Sequence, residues 1–124
     1  MIMTREEIFV YAENTFSTIP EYLWENDDVT AVLRNKTSSK WFGILMKVSN
    51  KTLGISGEGS TDVMNVKCGP IISGSLRMQK GFLPAYHMNK ENWVTVLINE
   101  VPEEQIIDLI NLSYELTEKR KKKS

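Results

Sequence analysis

Residues 81–93, with the sequence Gly-Phe-Leu-Pro-Ala-Tyr-His-Met-Asn-Lys-Glu-Asn-Trp, are the most distinctive stretch of this chain. They contain the single histidine, His87, and one of the three tryptophans. The segment contains Gly81 and Pro84, and its Asn-Lys-Glu-Asn run is typical of a turn. This pattern predicts two strands, Leu83–Met88 and Trp93–Ile98, joined at residues 89–92. Alternation along the second strand places Val94, Val96 and Ile98 on one face. The segment therefore predicts an antiparallel pair of strands.

Further strands are predicted on the N-terminal side of this segment. Short runs with β character occur at Glu21–Trp24, Val29–Arg34, Trp41–Val48 and Asp62–Cys68. Residues 35–39 are a polar connection of hairpin length, and Lys51–Ser60 is a Gly/Ser loop. In the run 62–68, Met64, Val66 and Cys68 alternate with Asn65 and Lys67, so the two sets should lie on opposite sides of the strand.

Helices are predicted at both ends of the chain. Thr4 followed by Glu7 forms a capping box, and Ile8, Ala12 and Phe16 give a helical apolar stripe. Near the C-terminus, Pro102 with two glutamates marks a helix start. The stripe of this last helix consists of Ile106, Leu109, Ile110 and Ser113.

A third, short helix is predicted at Ile71–Gln79, directly after Pro70 and ended by Gly81. Its inward-facing residues would be Ile71, Ile72 and Leu76.

The order of elements predicts an α+β fold. A helix at each end of a run of antiparallel strands favours a sheet of about five or six strands with the terminal helices packed on one face. A chain of 124 residues is one domain by length. We assign residues 1–117 to that domain and residues 118–124 to a basic C-terminal tail.

Composition predicts a cytoplasmic protein without a membrane segment. The opening residues lack a secretory signal pattern, and no apolar run approaches the roughly 18–20 residues of a membrane span. The single cysteine, Cys68, excludes an intramolecular disulfide and a multi-cysteine metal site. We expect a monomer or a weak dimer.

Charge is distributed unevenly along the chain although the net charge is −1. Residues 1–33 carry one base against seven acids, residues 34–90 nine bases against two acids, and residues 91–118 seven acids and no base. A basic middle region could form a phosphate-binding surface. The residues predicted to contact nucleic acid are Arg34, Lys36, Lys40, Lys47, Lys67, Lys80 and Lys90. A charged tip such as that at Arg34, Lys36 and Lys40 is more often plain solvated surface than a binding element.

No catalytic motif or metal site is evident in the sequence. His87 could act in acid–base chemistry, or with Cys68 as a thiolate–imidazole pair, but a lone histidine in an aromatic strand is more often structural. One histidine and one cysteine cannot complete a tetrahedral metal site. We therefore predict no catalytic residue, no metal and no cofactor.

Several segments together resemble the MmcQ/YjbR family. These are Glu21–Trp24, Lys40–Phe42, Asn65–Pro70, Gly81–Lys90 with Trp93, Val101–Glu104 and Ser113-Tyr114. The resemblance covers about residues 4–117, and the Tyr-His-Met-Asn-Lys run followed by Trp is its specific part. It implies a compact α+β domain similar to the double-wing fold and to frataxin-like sheets. Members of the family are commonly labelled DNA-binding on that fold similarity, and the resemblance brings no catalytic role. Its signature positions with a structural role are Trp24, Trp41, Pro84, Tyr86, His87, Asn89 and Trp93.

Three hypotheses follow from the sequence. The first is a small non-enzymatic DNA-binding domain with a regulatory role, which contacts phosphates through the basic residues. The second is a protein–protein interaction module. The third is an enzyme or small-molecule binder around Tyr86, His87 and Cys68, which requires a concave pocket that brings these groups together.

Overall fold

The computed structural model describes residues 2–118, which form five strands and four helices. In chain order these elements are α1 (Arg5–Phe16), β1 (Ala31–Arg34), β2 (Trp41–Ser49), α2 (Asn50–Leu53), β3 (Ser60–Lys67), α3 (Pro70–Leu76), β4 (Phe82–Pro84), β5 (Trp93–Leu97) and α4 (Glu103–Glu118). The prediction of an α+β fold with a five-stranded antiparallel sheet is confirmed. No helix within the described range is both long and apolar enough to cross a membrane.

The strands form a single sheet in the order β1-β2-β3-β5-β4, with every neighbouring pair antiparallel. At one end of the sheet, here called the hairpin end, β1 and β3 finish while β2 and β5 begin. The register between β1 and β2 shifts because Leu33 pairs with Gly43 whereas Arg34 pairs with Trp41, which leaves Phe42 as an extra residue. This bulge turns Phe42 into the core on the helix side.

The first and last helices pack on one face of the sheet, here called the helix face. The capping box of Thr4 and Glu7 is present at the start of α1. Ile8 and Ala12 of α1 and Ile106 and Ile110 of α4 are fully or almost fully buried in one core cluster. The sheet residues of this cluster include Leu45, Met64, Val66, Cys68, Val94, Val96 and Ile98. The predicted stripes and the predicted alternation in β3 and β5 are therefore confirmed.

The other face of the sheet, here called the open face, carries a second apolar cluster. Its buried members are Val32, Ile44, Met46, Val48, Val63, Ala85, Trp93 and Leu97. Instead of a long helix, it is partly covered by two short pieces of chain, Leu53–Ile55 after β2 and Tyr86–Met88 after β4. A groove remains between these pieces and the segment before β1.

The prediction of inward-facing isoleucines on the short helix was wrong. Ile71 is 87% exposed and Ile72 is 39% exposed. Leu76 is buried as predicted, and Ser73 is buried in place of the isoleucines. The Ser73 hydroxyl donates to the Lys90 carbonyl oxygen at 3.2 Å. The helix therefore docks through a small polar residue, which an apolar pattern cannot indicate.

Three predicted segments differ in their bounds or type. Glu21–Trp24 is not a strand, since only Glu21 pairs, with Val32. The predicted strand Leu83–Met88 is shorter, because pairing with β5 covers only Phe82–Pro84. The predicted loop from Lys51 includes the single helical turn α2, capped by the Ser49 hydroxyl.

Candidate functional site

A groove of about 560 Å³ lies on the open face of the sheet. Its floor is made by Ile44, Met46 and Val48, the β2 residues that alternate onto this face. Trp24 and Trp41 line one part, and Tyr86, His87 and Met88 line another. We call this feature the aromatic groove. Four of the seven signature residues predicted from the sequence line it: Trp24, Trp41, Tyr86 and His87.

A buried polar network holds Tyr86 at the groove. Asn65 and Thr95 face each other across β3 and β5 and are 1% and 0% exposed. The Thr95 hydroxyl donates to Asn65 Oδ1 at 2.5 Å and accepts from the Tyr86 N–H at 2.9 Å. Asn65 Nδ2 donates to the Tyr86 carbonyl oxygen at 2.8 Å. Both backbone groups of Tyr86 are thus bonded to side chains of the sheet, which fixes the start of the segment that leaves β4.

His87 occupies the left-handed region with φ 59° and is exposed beside Tyr86. The two rings have centroids 3.9 Å apart and are tilted by 52°. Asn89 closes the following turn, because its Oδ1 accepts from the N–H groups of Glu91 and Asn92 at 2.9 and 3.0 Å. This backbone path explains why β4 stops at Pro84, since the chain turns out of the sheet to form a wall of the groove.

The opposite wall is built on a turn at residues 24–27. The Asp27 N–H donates to the Trp24 carbonyl oxygen at 3.3 Å. Asp27 Oδ1 accepts from the N–H groups of Thr30 and Val29 at 2.8 and 2.9 Å. The hydrogen bond from the Thr30 N–H, followed by those from the Thr30 hydroxyl and the Val29 N–H, lowers the pKa of Asp27. A carboxylate therefore stands at this wall of the groove, beside an indole that is 44% exposed.

The thiolate–imidazole arrangement considered from the sequence does not form. Cys68 is buried in the helix-face cluster, whereas His87 lies on the open face. Burial raises the pKa of the Cys68 thiol, an effect that a smaller attraction to Arg77 opposes. Within residues 2–118 no group of three or more His, Cys, Asp or Glu side chains is placed to hold a metal ion. The groove thus offers aromatic faces, a carboxylate and amide or hydroxyl groups, without a nucleophile–base pair involving Cys68.

Five of the seven basic residues predicted to contact nucleic acid lie at the hairpin end of the sheet. They sit where β1 finishes, on the β1–β2 hairpin, at the end of β3 and just before β5, and they are Arg34, Lys36, Lys40, Lys67 and Lys90. The hairpin is anchored to the end of α4, because Asn35 Nδ2 donates to the Tyr114 carbonyl oxygen at 3.0 Å and the Ser38 hydroxyl donates to that of Thr117. The two remaining lysines, Lys47 and Lys80, lie towards the opposite end.

Acidic side chains pair with Arg34, Lys47 and Lys80. Arg34 Nε is 3.0 Å from Glu21 Oε2, and its Nη1 donates to the Ser39 carbonyl oxygen. Lys47 Nζ lies 3.8 Å from Asp62 Oδ1, and Lys80 Nζ lies 3.9 Å from an oxygen of Glu100. The guanidinium group of Arg34 therefore links the edge strand β1 to Glu21. Of the predicted tail, residues 118–124, Glu118 is the last residue of α4, and residues 119–124 lie outside the described residues.

Pro84 and Trp93 have structural positions. Pro84 is the last residue of β4, and Trp93 begins β5, where it is 8% exposed and packs in the open-face cluster. The roles of Asp27, Asn65 and Thr95 were missed from the sequence. Asn65 and Thr95 carry one detectable signal, since each is a polar residue with apolar residues on both sides in its strand.

Comparison with known proteins gives consistent matches. The family model described as YjbR matches residues 16–116. The uncharacterized protein YyaQ of Bacillus subtilis (strain 168) is 40% identical over 117 residues, which cover 94% of this chain and 99% of YyaQ. A crystal structure of a Pseudomonas syringae protein is 40% identical and superposes with a TM-score of 0.89, over 93% of this chain and 99% of the other.

A more distant structure shares the fold. The Deinococcus radiodurans protein DR2400 has a TM-score of 0.69 at 22% identity, over 93% of this chain and 78% of its own. The same arrangement of sheet and helices is therefore kept at low identity. The family match, the identity to YyaQ and the structural match agree, and the chain belongs to the YjbR family.

Proposed function

We propose that this protein is a small non-enzymatic DNA-binding domain with a regulatory role, which contacts the phosphate backbone with the hairpin end of its sheet. The observation that carries the proposal is the gathering of Arg34, Lys36, Lys40, Lys67 and Lys90 at that end. Duplex DNA attracts such a cluster through its phosphates and releases counterions on binding. A cytoplasmic location is part of the same proposal.

The chemistry of these residues favours contact without sequence reading. Four of the five are lysines, which act as point charges towards phosphate. Arg34, the residue able to make a bidentate contact to a guanine, is engaged with Glu21 through Nε at 3.0 Å and Nη2 at 3.3 Å. We therefore expect weak binding that depends strongly on salt and little on sequence.

The anchored hairpin supports the same proposal. Lys36 and Lys40 are exposed residues on a loop whose backbone is tied to α4 through Asn35 and Ser38. Because the loop is held, its lysines have a defined position relative to Lys67 on the sheet. A pre-positioned set of charges loses less conformational freedom when it binds.

The test compares charge reversals at the two ends of the sheet. Binding to a labelled random-sequence duplex is measured over a salt series for the wild type and for the double variant Lys36→Glu/Lys40→Glu. Lys51→Glu/Lys80→Glu is the matched control, since it makes the same charge change with exposed residues towards the opposite end. We expect the hairpin variant to bind weakly and to lose about two units of the salt slope, at about 0.9 per phosphate.

Two outcomes would contradict the proposal. An equal loss of DNA affinity in both double variants would show that binding depends only on the net charge of the protein. Binding that disappears when the chain is ended at Thr117 would assign the interaction to the predicted tail rather than to the sheet.

A second candidate function is protein binding. It is favoured by the exposed apolar side chains around α3, where Ile71 is 87% exposed and Met78 is 90% exposed. Exposed apolar residues grouped on one element mark interaction surfaces. A partner held in this way would dissociate little with added salt, and Ile71→Ser would weaken it while leaving DNA binding unchanged.

A further inference from the structure

The aromatic groove has the dimensions of a ligand site. Small-molecule pockets in proteins typically occupy about 300–1,000 Å³ and combine apolar walls with a few polar groups. This groove measures about 560 Å³, and its floor of Ile44, Met46 and Val48 belongs to the long central strand β2.

Its walls present aromatic surface that the core does not use. The Trp24 and Trp41 rings are nearly perpendicular, with an interplanar angle of 78° and centroids 5.9 Å apart. Trp24 remains 44% exposed, so much of its apolar area is available to a ligand. Tyr86 and His87 line the same groove from the other segment. Aromatic faces attract flat rings and cations.

Two charged side chains line the groove, Asp27 and Lys47. The Asp27 carboxylate lines it, and the hydrogen bonds to its Oδ1 orient the group. Lys47 also contributes to the lining, but it is in register with Asp62 and its ammonium lies 3.8 Å from that carboxylate. Arg5 donates to the Val29 carbonyl oxygen beside the Asp27 turn but does not line the groove. Within residues 2–118, Asp27 is therefore the charged lining residue that forms no salt bridge, and the positive charge of Arg5 contributes to its lowered pKa.

We propose that the aromatic groove binds a small organic cation with a flat aromatic body, such as an N-alkylated heteroaromatic ring. The ring of the ligand stacks against Trp24 or Trp41, and its positive charge lies near the Asp27 carboxylate. Met46 and Met88 supply thioether contacts, which adapt to the shape of the ligand. An anionic ligand of the same size is repelled by Asp27.

The test uses three bicyclic probes of matched size and different charge: N-methylquinolinium, neutral quinoline and 2-naphthoate. Binding to the full chain is measured at pH 7.5 by calorimetry and by the shifts of the indole N–H resonances of Trp24 and Trp41. We expect the cation to bind roughly five- to tenfold more tightly than quinoline, because only the cation gains a cation–π contact and attraction to the carboxylate. We expect 2-naphthoate to bind most weakly.

Variants separate the contributions of charge and ring. Asp27→Asn should remove the preference for the cation and leave the affinity for quinoline unchanged, whereas the neighbouring Asp28→Asn should change neither. Trp24→Leu should weaken both probes, whereas Tyr22→Leu, which removes an exposed aromatic outside the groove, should not. Trp24→Phe tests the same contact with less change to the fold. We expect its affinity for both probes to lie between those of the wild type and of Trp24→Leu.

Four results would overturn the inference. The first is equal affinity for all three probes, the second is tightest binding of 2-naphthoate, and the third is no shift of either indole resonance at millimolar N-methylquinolinium. A cation preference that survives Asp27→Asn would also overturn it.

Discussion

Thr95→Val tests whether the buried network beneath Tyr86 stabilises the fold. Valine keeps the shape of threonine but removes a hydroxyl that donates to Asn65 Oδ1 and accepts from the Tyr86 N–H. Two polar groups lose their partner, and each buried unpaired group costs about 1–3 kcal/mol. The added methyl group returns about 0.8 kcal/mol. Because the bond from the Tyr86 N–H is only part-buried, the two costs lie in the lower half of that range, and we expect the free energy of unfolding to fall by about 1–3 kcal/mol.

Urea unfolding followed by tryptophan fluorescence measures this change, and an unaltered m-value shows that the unfolded state is the same. The melting temperature should fall by roughly 5–15 °C. Hydrogen exchange of the Tyr86 amide should become faster, since its acceptor is gone. Ser75→Ala, which removes a hydroxyl at an exposed position, is the control and should stay within about 0.5 kcal/mol. A Thr95→Val protein as stable as this control, with a still protected Tyr86 amide, would refute the reasoning.

Two further substitutions probe backbone strain and acid stability. Gly81→Ala should destabilise the protein by about 2–4 kcal/mol, because φ is 95° and the new Cβ would lie 2.6 Å from Val101 Cγ2. Thermal unfolding measures this loss of stability. The control Gly59→Ala should lose clearly less stability, because φ is 92° there but nothing lies within 4 Å of the new Cβ. In the folded protein the pKa of Asp27 lies below the ordinary value of 3.8. The Asp27 carboxylate therefore stabilises the fold above pH 3.8, and this stabilisation is lost as the pH falls through the lowered pKa. Asp27→Asn should therefore remove part of the acid sensitivity, and melting temperatures between pH 2 and 7 that run parallel in wild type and variant would contradict this assignment.

The terminal helices could be predicted because their signals are local. The capping box at Thr4 and the stripe of Ile106 and Ile110 each lie within a few turns of one helix, and both appear as expected. Ile71 misled the prediction because α3 is seven residues long and docks through the buried Ser73. A short helix presents too few positions for periodicity to decide which side faces inward.

The aromatic groove could not be predicted, because its walls come from parts of the chain about 60 residues apart. Trp24 reaches it through a turn in which Asn26 has φ 63°, and Tyr86 reaches it through bonds to Asn65 and Thr95. No local pattern indicates that these turns face each other across β2. The position of the basic residues was also undecidable from sequence, since the order β3-β5-β4 determines which strand ends are neighbours.

The packing of α1 against the same face as α4 has a consequence for synthesis. Tyr11 donates to Asn111 Oδ1 at 2.6 Å, so two residues 100 positions apart in the chain meet on adjacent helices. The first helix leaves the ribosome long before its neighbour is made, and its apolar stripe has no complete core to join until residues 103–118 have emerged. Folding of this domain is thus a late event in translation. We expect nascent chains that end before residue 118 to expose apolar surface and to bind chaperones.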